Sequence, residues 1–86
     1  MSFSFDLRKS RANMEKHGID FVKAQRLWDD PKRKEAPTRN DDEDRTLLVG
    51  KIDNKLWTAI VTYRDDVVRI ISVRRARKDE VKRYES

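Results

Sequence analysis

Two polar dipeptides divide the second half of the chain into three β-like segments, and this pattern constrains the fold more than any other. Residues 46–52, 56–63 and 67–74 are rich in β-branched and aromatic side chains, which favour strands. Asp53-Asn54 and Asp65-Asp66 separate these segments, and such residues tolerate the positive φ angles of two-residue hairpin turns. The second half therefore predicts an antiparallel meander.

The first half follows helical spacing instead. Residues 7–16 are bounded by Asp6, whose carboxylate suits a helix N-cap, and by Gly18, which suits the left-handed residue that ends a helix. Asp20 is placed to cap a second helix over residues 21–28, whose apolar side chains recur on one face. Two consecutive helices are thus predicted before the meander.

The remaining segments are short or highly charged. Phe3-Ser4-Phe5-Asp6 alternates apolar and polar residues, which predicts a short strand. In residues 29–44, 11 of 16 residues are charged, so we expect a surface loop with a brief edge strand over 35–38 and a solvated acidic run at 41–44. Residues 78–84 predict a last helix. The fold class is therefore a single α+β domain, with two N-terminal helices, a small antiparallel sheet of three to four strands and a short C-terminal helix.

Composition restricts the function classes. Net charge is +5 with a sequence pI near 9.7, which favours a polyanion such as nucleic acid as partner. The chain has no cysteine, one histidine and two glycines, so thiolate or zinc sites and glycine-rich phosphate loops are excluded. We expect no cofactor, no metal and no membrane segment, and a cytoplasmic location.

Arginines stand at the ends of the predicted strands. Strict alternation along the last strand places Arg69 on one face of the sheet and Arg74 on the other. Arg64 ends the middle strand, and Arg45 begins the first, so antiparallel pairing brings them towards one end of the sheet. Guanidinium groups bind phosphate through a planar fork of donors. The pattern predicts a phosphate-binding end of the sheet.

Aromatic residues and the histidine each allow two interpretations. Tyr63 and Tyr84 offer surfaces for stacking RNA bases, whereas Trp28 and Trp57 fit a small hydrophobic core better. His17 ends the first predicted helix. There it suits proton transfer near neutral pH, but a cation at a helix C-terminus is also favoured by the helix dipole alone.

These residue types are sufficient for one cleavage reaction. The 2′-OH of RNA attacks the adjacent phosphate, so neither a metal ion nor a protein nucleophile is needed. A protein must then orient the backbone, stabilise the charged phosphorane and assist proton transfer. Arginines with a histidine, tyrosine or lysine satisfy these requirements.

Several motifs, taken together, resemble the BrnT family of ribonuclease toxins. They are Asp6-x2-Lys9-x3-Asn13, Lys16-His17-Gly18, Trp28-Asp29-Asp30-Pro31, Arg69-Ile70-Ile71-Ser72-x-Arg74 and Glu80-x3-Tyr84. The resemblance extends from Phe5 to Tyr84 and preserves the order and spacing of the motifs.

The resemblance implies a RelE-like fold and RNA cleavage without metal. It also implies a ribbon-helix-helix, BrnA-like antitoxin that forms a 2:2 heterotetramer with the toxin and binds operator DNA. From this resemblance, the candidate catalytic residues are His17, Arg45, Arg69 and Arg74. Our hypothesis is that the three arginines bind the phosphate and that the histidine transfers a proton. Candidate RNA-binding residues are Lys16, Tyr63, Arg75 and Tyr84.

Two other function classes compete with the toxin. A non-catalytic module that binds a ribbon-helix-helix partner would show nearly the same sequence. A plain nucleic-acid binder is a third hypothesis, but the chain has no helix-turn-helix or zinc-finger pattern.

Overall fold

The computed structural model describes residues 1–38 and 44–86 and confirms the α+β class. Three helices are present among these residues, as predicted, and the sheet has five strands rather than three or four, in the order β1-β5-β4-β3-β2. The elements are β1 (Ser2–Phe5), α1 (Leu7–His17), α2 (Phe21–Ala24) with a following 3-10 turn (Gln25–Asp29), β2 (Lys34–Pro37), β3 (Thr46–Ile52), β4 (Lys55–Arg64), β5 (Val67–Arg75) and α3 (Lys78–Glu85). The acidic run predicted as a solvated loop lies mostly outside the described residues.

The sheet is mixed, so the prediction of a purely antiparallel sheet was wrong. Strand β1 pairs in parallel with β5, with Ser2 opposite Val67 and Phe5 opposite Ile70. The other neighbouring strands are antiparallel. Alternation in residues 3–6 indicates a strand but not the direction of its partner, because that depends on where the chain enters the sheet.

Both hairpin turns predicted from the acidic dipeptides are confirmed. Asp53 and Asn54 have φ angles of 49° and 68°, and Asp65 has a φ of 54°. Positive φ at both central residues of the first turn matches the right-handed twist of the flanking strands. The β3–β4 hairpin thus forms in the register that its turn indicates, and β4 and β5 begin in theirs, with Arg64 opposite Val67.

Helix α1 has both of the predicted ends. The Asp6 carboxylate accepts from the backbone N–H of Arg8 at 2.8 Å, and Gly18 adopts the left-handed conformation with φ 79°. Asn13 fixes the helix to its surroundings: its side chain donates to the carbonyl of Ile19 at 2.8 Å and accepts from the backbone N–H of Val73 at 3.2 Å. Both polar ends of this buried amide are therefore satisfied.

The second predicted helix is only half α-helical. Asp20 caps it through the backbone N–H of Lys23 at 2.8 Å, as expected, but the coil tightens to a 3-10 turn after Ala24. In that turn Leu27 packs onto Gly50 of β3, where an added Cβ would lie 3.1 Å from a Leu27 methyl carbon. The change from α-helix to 3-10 turn therefore occurs where Leu27 packs closely against Gly50.

One face of the sheet carries the hydrophobic core. Helices α1 and α2 and the 3-10 turn cover this face. The resulting core includes both tryptophans, as the sequence predicted. Its buried members are Ile19, Phe21, Ala24, Leu27, Leu48, Ile52, Trp57, Ala59, Val61, Val68, Ile70 and Val73, with Phe3, Phe5 and Trp28 packed against them.

A β-bulge reverses the alternation of side chains within β5. Ile60 pairs with Ser72 and Val61 pairs with Ile70, which leaves Ile71 as the extra residue. Arg69 and Arg74 pair with Thr62 and Thr58, and these threonines share one face of β4 because they are four residues apart. The prediction that the two arginines lie on opposite faces was therefore wrong.

Candidate functional site

The face of the sheet opposite the core carries three rows of side chains that run across β3, β4 and β5. The first, which we name the cationic row, contains the paired residues Thr62 and Arg69 together with Arg45, which immediately precedes β3 and shares a face with Leu47. The second, the apolar row, contains Leu47, Ile60 and Ser72. The third contains Val49, Thr58 and Arg74, and helix α3 contacts it through Glu80. Only the third row has buried members, Val49 and Thr58, which are 1% and 0% exposed.

A cleft of about 620 Å³ opens over the cationic row. We name it the cationic cleft. Four cationic side chains and one carboxylate contribute to its wall, so the local charge is strongly positive. Its lining residues are Lys9, Asp44, Arg45, Thr62, Tyr63, Arg64, Arg69 and Ile71.

Different elements supply the cations of this cleft. Arg69 projects from β5 and donates to the Ser4 hydroxyl of β1 at 3.3 Å. Arg64 ends β4 immediately before the Asp65 turn, and Arg45 precedes β3. Lys9 comes from α1, which follows β1 along the edge of the sheet. The structure thus brings together Arg45 and Arg64, which the sequence placed at one end of the sheet, and adds Arg69 to them but not Arg74.

Arg74 lies two rows away from Arg69 and binds a carboxylate. Its Nη1 and Nη2 atoms donate to Oε1 and Oε2 of Glu80 at 2.7 and 2.8 Å. The side chains of Arg74 and Glu80 are only 18% and 5% exposed. This two-bond geometry is the strongest form of a guanidinium–carboxylate pair.

Glu80 joins three parts of the structure. Besides Arg74, its Oε1 accepts from the Thr58 hydroxyl at 2.8 Å and from the backbone N–H of Arg77 at 2.8 Å. The last bond caps the start of α3, which compensates for the absence of a capping side chain at Arg77. Mainly because of the hydrogen bond from Arg74, the pKa of Glu80 falls to about 2.

His17 and Lys16 lie outside the lining of the cationic cleft. His17 is half-buried and follows Asn13 by one helical turn, so it faces the far end of β5, where Asn13 binds Val73. Lys16 is exposed and lies two turns after Lys9 on the same side of α1, about 10 Å further along the helix.

Tyr63 borders the cleft, but its hydroxyl group is already engaged. It donates to a Glu35 carboxylate oxygen at 2.6 Å and accepts from the Trp28 indole N–H at 3.4 Å. Burial, followed by the hydrogen bond to Glu35, raises the pKa of Tyr63 to about 12. The phenol is therefore protonated at neutral pH and acts as a hydrogen-bond donor.

Tyr84 and Arg75 lie away from the cationic cleft. Tyr84 of α3 donates to the Asp30 carboxylate at 2.7 Å, and burial followed by this hydrogen bond raises the pKa of Tyr84 to about 12. Arg75 ends β5 with its guanidinium carbon 5.4 Å from the ring centroid of Trp57. The eight sequence-predicted residues therefore form several groups, with Arg45, Arg69 and Tyr63 in one cleft.

Sequence reasoning missed two members of the cleft. Lys9 was treated only as part of a motif, although its position in α1 sets it beside β5. Thr62 lies between the two arginines of the cationic row, and alternation within β4 alone would place it on the face of Thr58. The turn at Asp65-Asp66 sets Arg69 opposite Thr62 before the bulge is reached, so the register of the hairpin was the signal that could have found Thr62. The bulge at Ile71 changes only the face of Arg74.

Within residues 1–38 and 44–86, no group of three or more histidine, aspartate or glutamate side chains is placed to hold a metal ion. In the same part of the chain, every helix is too short or too polar to cross a membrane.

The chain was compared with known proteins. No match was found among curated proteins. A family model described as ribonuclease toxin, BrnT, of type II toxin–antitoxin system matches residues 5–80, which is nearly the whole chain and includes the full sheet from Phe5 onwards. Membership in a type II system implies an antitoxin as partner. The chain therefore belongs to the BrnT family of ribonuclease toxins.

Proposed function

We propose that this toxin is a metal-independent endoribonuclease and that it cleaves RNA in the cationic cleft. The observation that carries the proposal is the convergence of Lys9, Arg45, Arg64 and Arg69 on one cleft. In the proposed reaction the 2′-oxygen of a ribose forms a bond to the adjacent phosphorus, and the bond from phosphorus to the 5′-oxygen breaks. The 2′-OH loses a proton and the leaving 5′-oxygen gains one, which yields a 2′,3′-cyclic phosphate and a 5′-OH.

Electrostatic stabilisation is the main contribution that the cleft makes in this proposal. The phosphorane gains negative charge on its non-bridging oxygens as the 2′-oxygen attacks. Arg45 and Arg69 flank Thr62 across adjacent strands, so their guanidiniums approach one phosphate from two sides. Fixed donors at such a position typically lower the barrier by roughly 3–4 kcal/mol each. Arg64 and Lys9 add to the field and attract the RNA backbone.

Arg74 has a positioning role in the proposal. Its two terminal nitrogens bind Glu80, and this pair holds α3 against the sheet beside the apolar row. Loss of the pair would loosen the wall that α3 forms next to Arg45. The sequence-based hypothesis assigns Arg74 to direct phosphate binding instead, and the two roles predict different activities for Arg74→Ala and Glu80→Gln.

The predicted RNA-binding residues fit a path that leaves the cleft along α1. Lys9 lines the cleft and Lys16 lies on the same side of the helix, so a strand of RNA following this edge meets a second cation. Tyr63 lines the cleft with 41% of the residue accessible, although its hydroxyl group is held on the core side of the sheet by Trp28 and Glu35. Arg75 and Tyr84 would contact RNA only beyond this path.

The antitoxin is proposed to be a ribbon-helix-helix protein. In this proposal toxin and antitoxin form a 2:2 heterotetramer in the cytoplasm, and the antitoxin part binds operator DNA. The small core makes a bound partner a further source of stability by mass action. Co-purification with the protein encoded beside the toxin, followed by light scattering, measures the stoichiometry. A 1:1 complex would contradict this part of the proposal.

The proposed function is tested by incubating purified protein with RNA in excess EDTA. We compare the wild type with Arg69→Ala, and with Arg11→Ala as a control that removes an exposed arginine from outside the cleft. We expect cleavage by the wild type and Arg11→Ala, with cyclic phosphate ends detected by mass spectrometry. Arg69→Ala should be slower by roughly 100-fold or more. Intact RNA with folded wild type would reject autonomous metal-independent cleavage.

A further inference from the structure

A second pocket adjoins the cationic cleft on the same face of the sheet. It has a volume of about 460 Å³, and Arg45 lines both the pocket and the cleft. Leu47 and Ile60 of the apolar row form its floor. Arg83 and Asp79 of α3 form one wall, and Pro37 at the end of β2 with the following Thr38 forms the other. This pocket has a different character from the cleft, because its floor is apolar.

The spacing between the pocket and the cleft matches the dimensions of one nucleotide. Leu47 and Ile60 each lie two residues along their strands from Arg45 and Thr62, which corresponds to about 7 Å. A ribose spans a comparable distance between a phosphate and its own base. A phosphate bound by Arg45 and Arg69 would therefore place a neighbouring base over the apolar floor.

We propose that this pocket binds the nucleobase of one nucleotide beside the scissile phosphate and gives the toxin a base preference. The proposal rests on the proposed cleavage in the cationic cleft. The base lies with one face on Leu47 and Ile60. The Arg83 guanidinium stacks on the other face, as planar guanidiniums do on unstacked RNA bases.

Two polar residues line the pocket, and the exposed one, Asp79, determines which bases fit. Asp79 is exposed on the first turn of α3, and its carboxylate accepts N–H donors from a base edge. The Thr38 hydroxyl is buried and has no hydrogen-bond partner within the described residues. Adenine, cytosine and guanine carry an amino group, whereas uracil flanks its single edge N–H with two carbonyl oxygens that a carboxylate repels. The pocket therefore discriminates against uracil.

Binding is tested without any cleavage step by NMR titration of the free toxin. The probes are inorganic phosphate and the four nucleoside monophosphates, and the signals are the methyl groups of Leu47 and Ile60. We expect adenosine, cytidine and guanosine monophosphates to shift these methyl signals at concentrations where inorganic phosphate leaves them unchanged. Equal shifts with phosphate alone, or none with any nucleotide, would overturn the proposal.

Specificity is tested by sequencing the ends of fragments cut from an RNA pool of randomised sequence. We expect the wild type to disfavour uracil roughly tenfold at one position beside the cut, and Asp79→Asn to reduce this to about twofold. Arg83→Ala should also weaken the preference, whereas Lys82→Ala, which removes a neighbouring exposed cation of α3, should retain it.

The outcomes separate this proposal from the function on which it depends. An unchanged base preference in Arg83→Ala and Asp79→Asn, with cleavage intact, would overturn the base pocket and leave the ribonuclease proposal standing. Absence of cleavage by the wild type would instead reject the proposed function, while the NMR titration would still decide whether the pocket binds a base.

Discussion

Arg74 and Glu80 join the last strand to the C-terminal helix through two nearly parallel hydrogen bonds of 2.7 and 2.8 Å. Glu80 is 4% exposed, so its charge depends on this partner for compensation. The same carboxylate also accepts from Thr58 of β4. One carboxylate therefore holds two strands and a helix together at the border of the pocket that Leu47 and Ile60 line.

Removal of either partner of this pair should destabilise the toxin. We expect Arg74→Ala and Glu80→Gln each to lower the free energy of unfolding by about 3–5 kcal/mol, because each leaves a buried charge uncompensated. Chemical denaturation measures this change. If Arg74 positions α3, both variants lose RNA cleavage to a similar degree and their effects are not additive. If Arg74 binds phosphate directly, Arg74→Ala loses far more activity than Glu80→Gln.

Stability should fall in acid because of the same carboxylate. Its pKa is lowered from 4.5 to about 2 in the folded protein, chiefly by the Arg74 hydrogen bond. The ionised Glu80 carboxylate therefore makes its full contribution to the free energy of unfolding above about pH 4.5. This contribution, roughly 3 kcal/mol in total, is lost as the pH falls towards 2. Denaturation at pH 6, 4 and 3 should show the stability gap between wild type and Glu80→Gln shrinking. A constant gap would contradict this.

The end of α1 allows a test of backbone conformation alone. Gly18 has a φ of 79°, and a Cβ added there would meet no atom within 4 Å. Gly18→Ala should therefore cost about 1 kcal/mol of stability from the left-handed conformation, without a clash. Gly18→Asn should cost less, since asparagine tolerates this region better. Thermal denaturation of both variants measures the difference, and equal losses would point to another cause.

The residue that transfers a proton can be identified by pH–rate profiles. The sequence left histidine, lysine and tyrosine open for this role and named His17 as a candidate, whereas Lys9 lines the cationic cleft. We expect Lys9→Gln to lower the cleavage rate by about 100-fold and His17→Gln by only a few-fold, because a proton donor must reach the reacting oxygen. If His17→Gln instead removes a limb of the profile that Lys9→Gln leaves in place, the histidine performs the transfer.

Local patterns predicted the elements of this fold well. The caps at Asp6 and Asp20, the glycine that ends α1 and the turns at Asp53 and Asp65 are all confirmed. Each depends on a few neighbouring residues whose chemistry favours one backbone conformation. The α+β class followed from the same signals.

Features that depend on pairing between distant segments were predicted poorly. The parallel pairing of β1 with β5 and the bulge at Ile71 arise from contacts between residues far apart in the chain. The predicted approach of Arg45 to Arg64 did emerge, because hairpin topology alone sets which strand ends are neighbours. Whether these arginines act on RNA remains a prediction for the experiments above.

Because of the bulge, the number of residues between Arg69 and Arg74 determines whether both arginines lie on the same face of the sheet. Deletion or insertion of one residue in this interval would turn one of the two arginines towards the hydrophobic core, since side chains alternate strictly on either side of the bulge. Replacement of Ile71 by another residue would leave the spacing intact. We therefore expect related toxins to vary the residues inside this interval while they preserve the number of residues in it.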